Sequence, residues 1–486
     1  MSSWFSVEPP TSATPSSPQS PSNSLGSNLI HPVSSRYGPD SLFGTLSDQD
    51  TAWLAQSTGF VTETQTFYIT IPGGKLAMCQ VIHSAIGLWY PQIQFTFRFY
   101  DSISKKHVWK STNVTNFKTP PIFSNSSDLP KYDKRSCKSD QFSILLDPNQ
   151  PDTYSITGKH DDSIHFQFNL TRMDGVPGWK LGHDARGGFT YFGRGNQKRE
   201  SPKSGPDYSA STDGYIIHRF WPRCSLSGQI ILNGQPVNLN QSRAIFIHAV
   251  QGMRPNLIAS RWNFCNFQSV QDQTQPDSTD PGVSLTLMEF TTVPGSYGPP
   301  QIISVGSIVL GDKLIGLSCD PNPNEAVQAK TTHQTPLLFD NDTGYQLPSL
   351  IKFQWTAPVL HSALAPSALS NVSSQNNPNA NSLKAEILLD LDAQNLSEKE
   401  SYVTRGLVEK VDVLAQIPYL VKKVVAAVAG TRPYIYTWFN PVSGKITLPK
   451  DLVTFDDKLK ESETEDSNQL VINGYLFNEA TFISDL

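Results

Sequence analysis

QIQFTFRFY, from Gln92 to Tyr100, sets the reading of the whole chain. Large apolar side chains occupy every second position, Ile93, Phe95, Phe97 and Phe99, while Gln94, Thr96 and Arg98 take the others. Successive strand side chains point to opposite faces, so this run is a strand with one apolar face. The same period returns in Ile164, Phe166, Phe168 and Leu170, and again in Ile351, Phe353 and Trp355. Gly, Pro, Asn and Asp lie between such runs. Asn233-Gly234, flanked by apolar residues, reads as a tight hairpin, and so does the turn from Gly311 to Lys313. Strands at short intervals with few helical stretches predict an all-β sandwich or barrel.

A chain of 486 residues exceeds what one hydrophobic core organises, and two domains are expected. The reading divides it into a Ser/Pro-rich leader (1–50), a first domain (51–222) and a second (223–486) with loop and helix insertions. Residues 9–40 carry too few large apolar side chains to offset the entropy lost on ordering, which predicts disorder. The balance of 38 Lys plus Arg against 43 Asp plus Glu leaves a net charge of -5, with no basic face for nucleic acid. Five scattered cysteines, at 79, 137, 224, 265 and 319, show no CxxC pair and no zinc spacing, which predicts reduced, buried thiols. The N-terminus MSSWFSVEPP lacks the basic and apolar regions of a secretory signal, and no apolar run reaches the about 18 residues of a spanning helix.

GYIIHRFWPRCSLSG (214–228) and AIFIHAVQGMRPNLIASRWNFCNFQS (244–269) closely resemble the fungal survival-factor family. The likeness extends more loosely through FYITIPGGKLAMCQVIHS, FTFRFYD, VPGWKLG, MEFTT and GTRPYIY, from about Phe67 to the C-terminus. It implies two tandem lipocalin-like β-barrels. It also implies a sphingolipid (ceramide-like) ligand moved between ER and Golgi membranes, survival under oxidative stress, and a cytoplasmic location with peripheral membrane association and access to the nucleus. Family members carry an N-terminal amphipathic helix; here Trp4 and Phe5 are the candidate membrane contacts, with a fraying end as the alternative.

Within the implied barrels, the candidate lipid-binding residues are the apolar face of Ile93, Phe95, Phe97 and Phe99, with Trp221, Arg223 and Trp262. The last three belong to a dense set that includes His218, Arg219 and Arg261. Two roles are open to it: a rigid junction between barrels, since Arg stacks on Trp while donating several hydrogen bonds, or recognition of a lipid head. Leu407, Val411 and Leu414 repeat at helical spacing, and a second apolar stripe runs from Pro418 to Gly430. This amphipathic segment either packs on a barrel wall or covers its mouth.

Catalysis would need an activated group. Candidates are His83, His160, His165, His218 and His248, with Asp161, Asp162 and Asp184, but no nucleophile elbow, HExxH or P-loop accompanies them. His160 and His165 flanking Asp161-Asp162 read as an exposed turn. No catalytic residue, metal or cofactor is therefore expected. Tandem lipocalins also resemble bacterial carotenoid hydratases, so an enzyme acting on an apolar isoprenoid remains the alternative, requiring a carboxylic acid of raised pKa in the cavity. A stress-survival interaction protein is the third reading.

Overall fold

The computed structural model describes residues 28–37, 41–86, 90–120, 133–184, 186–193, 212–271, 280–295, 297–320, 327–360, 382–391, 405–416, 432–449 and 469–484. Trp4, Phe5 and the predicted stripe from Pro418 to Gly430 lie outside the described residues. The described chain is nearly all β, as the period-two runs predict, and forms two sheets.

The first sheet contains β1 (Ile30–His31), β2 (Phe43–Thr45), β3 (Phe60–Ile71), β4 (Lys75–Ile86), β5 (Gln92–Asp101), β6 (Lys106–Asn113), β7 (Cys137–Lys138), β8 (Phe142–Leu146), β9 (Thr153–Asp161), β10 (Ile164–Arg172), β11 (Trp179–Leu181), β12 (Phe189–Phe192), β13 (Gly214–Leu232), β14 (Gln235–Asn238) and β15 (Arg243–Gln251). Its main path runs β6-β5-β4-β3-β15-β13-β10-β9-β8-β7, antiparallel throughout. A bridge between Lys118 and Lys138 joins the segment after β6 to β7, so the two ends of the path meet. The second sheet contains β16 (Ala259–Gln268), β17 (Ser284–Thr292), β18 (Ile302–Leu310), β19 (Lys313–Cys319), β20 (Gln328–Phe339), β21 (Gln346–Pro358), β22 (Ser382–Asp390), β23 (Leu407–Asp412), β24 (Tyr434–Thr447) and β25 (Gln469–Phe482). Its path is β19-β18-β17-β16-β25-β24-β22-β21-β20, and a Gly316–Val359 bridge likewise brings β19 to the end of β21.

Each sheet curls around its own apolar core. Phe95, Phe97, Phe142, Phe166, Trp221 and Phe246 belong to the first, and Phe267, Ile351, Phe353, Trp355 and Trp438 to the second. A third cluster joins them: Tyr68, Met78, Tyr100 and Ile245 from the outward face of the first sheet meet Phe264, Val305, Phe439 and Phe477 of the second. Both predicted hairpins are present. Asn233 and Gly234 have φ of 51° and 77°, and Gly311 and Asp312 have 59° and 55°, the left-handed pair that a two-residue turn needs to match strand twist.

Three expectations are corrected. The sheets change over between Gln251 and Ala259, across the short helix α1 (Pro255–Ile258), not at residues 222/223. Pro222 sits inside β13, at a register shift between Trp221 and Cys224 where the ladder does not need its missing N–H. The later part of the supposed leader is ordered. β1 pairs with β12, Ile30, Val33 and Leu42 are buried, and Ser34 Oγ donates to Asp320 Oδ2 at 2.7 Å. Composition averaged over a Ser/Pro-rich stretch conceals three apolar side chains placed against existing strand edges. Finally, Leu407 to Asp412 is a strand on β24, and among the described residues of this segment α2 (Val413–Gln416) is the helical part. The four-residue spacing of Leu407 and Val411 is shared by a strand, whose period is two, and a helix, so it does not distinguish them.

Candidate functional site: a cleft between the two sheets

Period two gives β3, β4, β5 and β15 a second face, which points away from the first core. Cross-strand register builds it into rows: Ile247, Thr66, Gln80 and Thr96; then Ala249, Thr64, Ile82 and Gln94; then Gln251, Thr62, Ser84 and Gln92. The second sheet opposes these with two rows of its own: Met288, Phe264, Glu479 and Thr437, then Phe290, Trp262, Thr481 and Ile435. Between these faces lies a cleft of about 470 Å³. Its size is within the roughly 300–1,000 Å³ usual for small-molecule sites.

The walls differ chemically. Phe60, Tyr68, Ile247, Met253, Trp262, Phe264, Met288, Ile435 and Ile483 supply apolar surface. Thr62, Thr64, Thr66, Gln80, Gln92 and Gln94 supply uncharged donors and acceptors, some already paired: Gln80 Nε2 donates to Thr66 Oγ1 at 2.9 Å. Val413 and Leu414 of α2 complete the lining beside Pro433, and Arg254 lies over the Phe60 ring at 4.3 Å. Trp262 stacks on Phe290 at 4.6 Å and meets the edge of His218 at 5.8 Å. Burial holds the His218 imidazole down at about 4, so it is neutral at physiological pH.

Glu479 is the one carboxylate among the described residues that line the cleft. Burial raises its pKa, with Arg98 and a Thr481 hydrogen bond pulling in the opposite direction. Arg98 itself pairs with Glu409 of the second sheet at 2.9 Å and contacts Thr437 Oγ1 at 3.4 Å.

The predicted lipid-binding residues divide. Trp262 lines the cleft. Phe95, Phe97 and Phe99 lie in the first core, with Ile93 packed against it. Phe95 stacks on Phe142 at 4.4 Å and Phe97 on Phe166 at 5.4 Å, so this interior is filled by its own aromatic rings. Trp221 belongs to the same core, 5.1 Å from Tyr154. Arg223 is fully buried and reaches from β13 to the second sheet. It donates to Asp280 Oδ2 at 2.5 Å, Asp312 Oδ1 at 2.8 Å, Gln268 Oε1 at 2.9 Å and the Val283 carbonyl at 3.0 Å. Of the two roles open to it, the contacts are those of a junction. Arg219 bonds Asp50, which also pairs with Lys180 at 2.7 Å, and His248 pairs with Glu63 at 2.8 Å; these contacts pin residues 50–55 to the first sheet.

Sequence reasoning missed Thr64, Thr66, Gln80, Ala249 and Glu479. The signal available was the near absence of Lys and Glu from the outward positions of β3, β4 and β15, unusual for a face in water. β6, whose Lys106, His107 and Lys110 are exposed or half-buried, shows the ordinary solvent-facing pattern.

Over residues 7–484 the sequence matches the model of the Svf1 family. The chain belongs to that family. Among curated relatives, ceramide-binding protein svf-1 of Neurospora crassa is 30% identical over 460 residues, covering 92% of this chain and 95% of the relative. Ceramide-binding protein SVF1 of Debaryomyces hansenii is 30% identical over 469 residues, covering 95% of each. Among solved structures, CghA has a TM-score of 0.49 at 9% identity, covering 92% of this Svf1-family chain and all of its own. An AttH-like protein of Nitrosomonas europaea has 0.41 at 13%, covering 90% and 96%.

Proposed function

We propose that this Svf1-family protein binds a ceramide-like sphingolipid in the cleft between its sheets and carries it, chemically unchanged, between ER and Golgi membranes. The observation that carries this reading is the cleft itself: an apolar wall of Met, Phe and Trp faced by uncharged polar side chains, matching a ligand with long chains and a small polar head. Each CH₂ taken from water contributes about 0.8 kcal/mol, so partition alone holds the ligand, and a membrane nearby releases it. Its relatives' names support ceramide as the class. Survival under oxidative stress would follow from lipid handling, because the five thiols are buried and their pKa values raised by desolvation, unlike those of reactive sensors.

Glu479 gives the enzyme alternative the raised-pKa carboxyl that it requires. One experiment tests both. Native mass spectrometry of freshly purified protein is expected to show one sphingolipid per chain, and that lipid should be recovered intact after prolonged incubation. Lipid-free protein would remove the carrier reading, and a bound product differing from the added lipid by one water would establish the enzyme.

A further inference from the structure

We propose that Glu479 is the specificity-determining residue of the cleft, accepting hydrogen bonds from the hydroxyl groups of the lipid head; this rests on the cleft being the lipid site. The geometry isolates this side chain. Its row places it between Phe264 and Thr437, and Tyr68 of the facing sheet meets Phe264 at 5.3 Å. Arg98, the cation that acts on Glu479, is already held by Glu409 at 2.9 Å, so Glu479 shares a guanidinium whose ion pair belongs to another carboxylate.

A carboxyl keeps acceptor capacity on its oxygens in either form, about four sites when ionised and fewer when protonated. Thr481 supplies one donor to Glu479. On the facing wall, Gln80 is turned to Thr66, while Thr62 and Ser84 approach each other at 3.4 Å. The cleft thus offers a carboxyl's acceptor capacity at one point, facing a wall where Gln80 and Thr66, and Thr62 and Ser84, engage one another. A ligand with two hydroxyl donors close together complements that point, whereas one lacking a hydroxyl leaves a buried acceptor of the carboxyl without its donor. Sites built to hydrogen-bond a hydroxyl discriminate strongly against analogues without it.

The test is competition by unlabelled C16-ceramide or its 1-deoxy analogue against a fluorescent ceramide bound to the full chain. Wild type is expected to favour ceramide by at least about tenfold, the scale of leaving one buried acceptor unsatisfied. Glu479→Ala should bring the two lipids within about twofold, by weakening ceramide and relieving the penalty on the deoxy lipid. Glu479→Gln preserves shape and one carbonyl acceptor, so it should retain part of the preference, and its unchanged melting temperature would show that the fold survives. An unaltered preference in Glu479→Ala overturns the proposal while leaving the lipid site intact. Failure of wild type to bind either lipid overturns the cleft reading and this inference with it.

Discussion

Ala249→Trp should abolish lipid capture and leave the protein folded. Ala249 is half-buried in the middle row of the cleft wall, between Thr64 and His218 in register, and packs at the edge of the cluster joining the sheets, so an indole there occupies ligand space while adding bulk beside that cluster. Ceramide capture is expected to fall more than about tenfold, while stability drops by no more than the about 1 to 3 kcal/mol of an overpacked site. Phe97→Trp should spare capture. Phe97 is fully buried and stacked on Phe166, so the added ring overpacks the first core at a cost of about 1 to 3 kcal/mol, with capture unchanged. Fluorescent-ceramide binding and chemical denaturation on both variants check the pair. Loss of capture in Phe97→Trp alone would return the ligand to the interior of the first sheet.

Arg223→Met is expected to destabilise the protein by about 1 to 3 kcal/mol, because it removes the donors that hold Gln268 and the Val283 carbonyl and leaves buried Asp280 with Arg243 alone. Asp280 would be raised by burial, but Arg223 and Arg243 together hold its carboxyl below the ordinary range. A depressed carboxylate contributes stability above its unfolded pKa of about 3.9 and loses that contribution as pH falls through the folded value. The gap between wild type and Arg223→Met should therefore be widest near neutrality and narrow below about pH 4, where Asp280 takes up a proton. Adding Asp280→Asn should recover part of the loss. A change under about 1 kcal/mol at pH 7 would show that the cluster does not secure the junction.

Most of the fold is legible from residue alternation. Gln92 to Tyr100, Ile164 to Leu170 and Ile351 to Trp355 are strands, and the Asn233-Gly234 and Gly311-Asp312 turns are tight hairpins. What alternation does not convey is how one sheet meets another. Phe95 and Phe97 look like a cavity lining because an apolar face inside a barrel can be full or empty, and periodicity is identical in both cases; here Phe142 and Phe166 fill it. Conversely, Thr64, Thr66 and Gln80 look like a solvent face until the second sheet is set against them. Glu479 follows the same logic: one acid in a β25 run of mixed polarity acquires its role only through Phe264 and Thr437, more than 200 and about 40 residues away in sequence. Pro222 shows the opposite failure, a strong local breaker absorbed by a bulge within an unbroken strand.

Photo-crosslinking with a diazirine-bearing ceramide, followed by peptide mapping, tests the cleft most directly. The expected adducts fall on β3 from Phe60 to Tyr68, on Ile247 to Asn256, and on Trp262 to Phe264, and they disappear when unlabelled ceramide is added. Adducts on Phe95, Phe97 or Phe166, with those three segments unmodified, would contradict the account and place the lipid inside the first sheet.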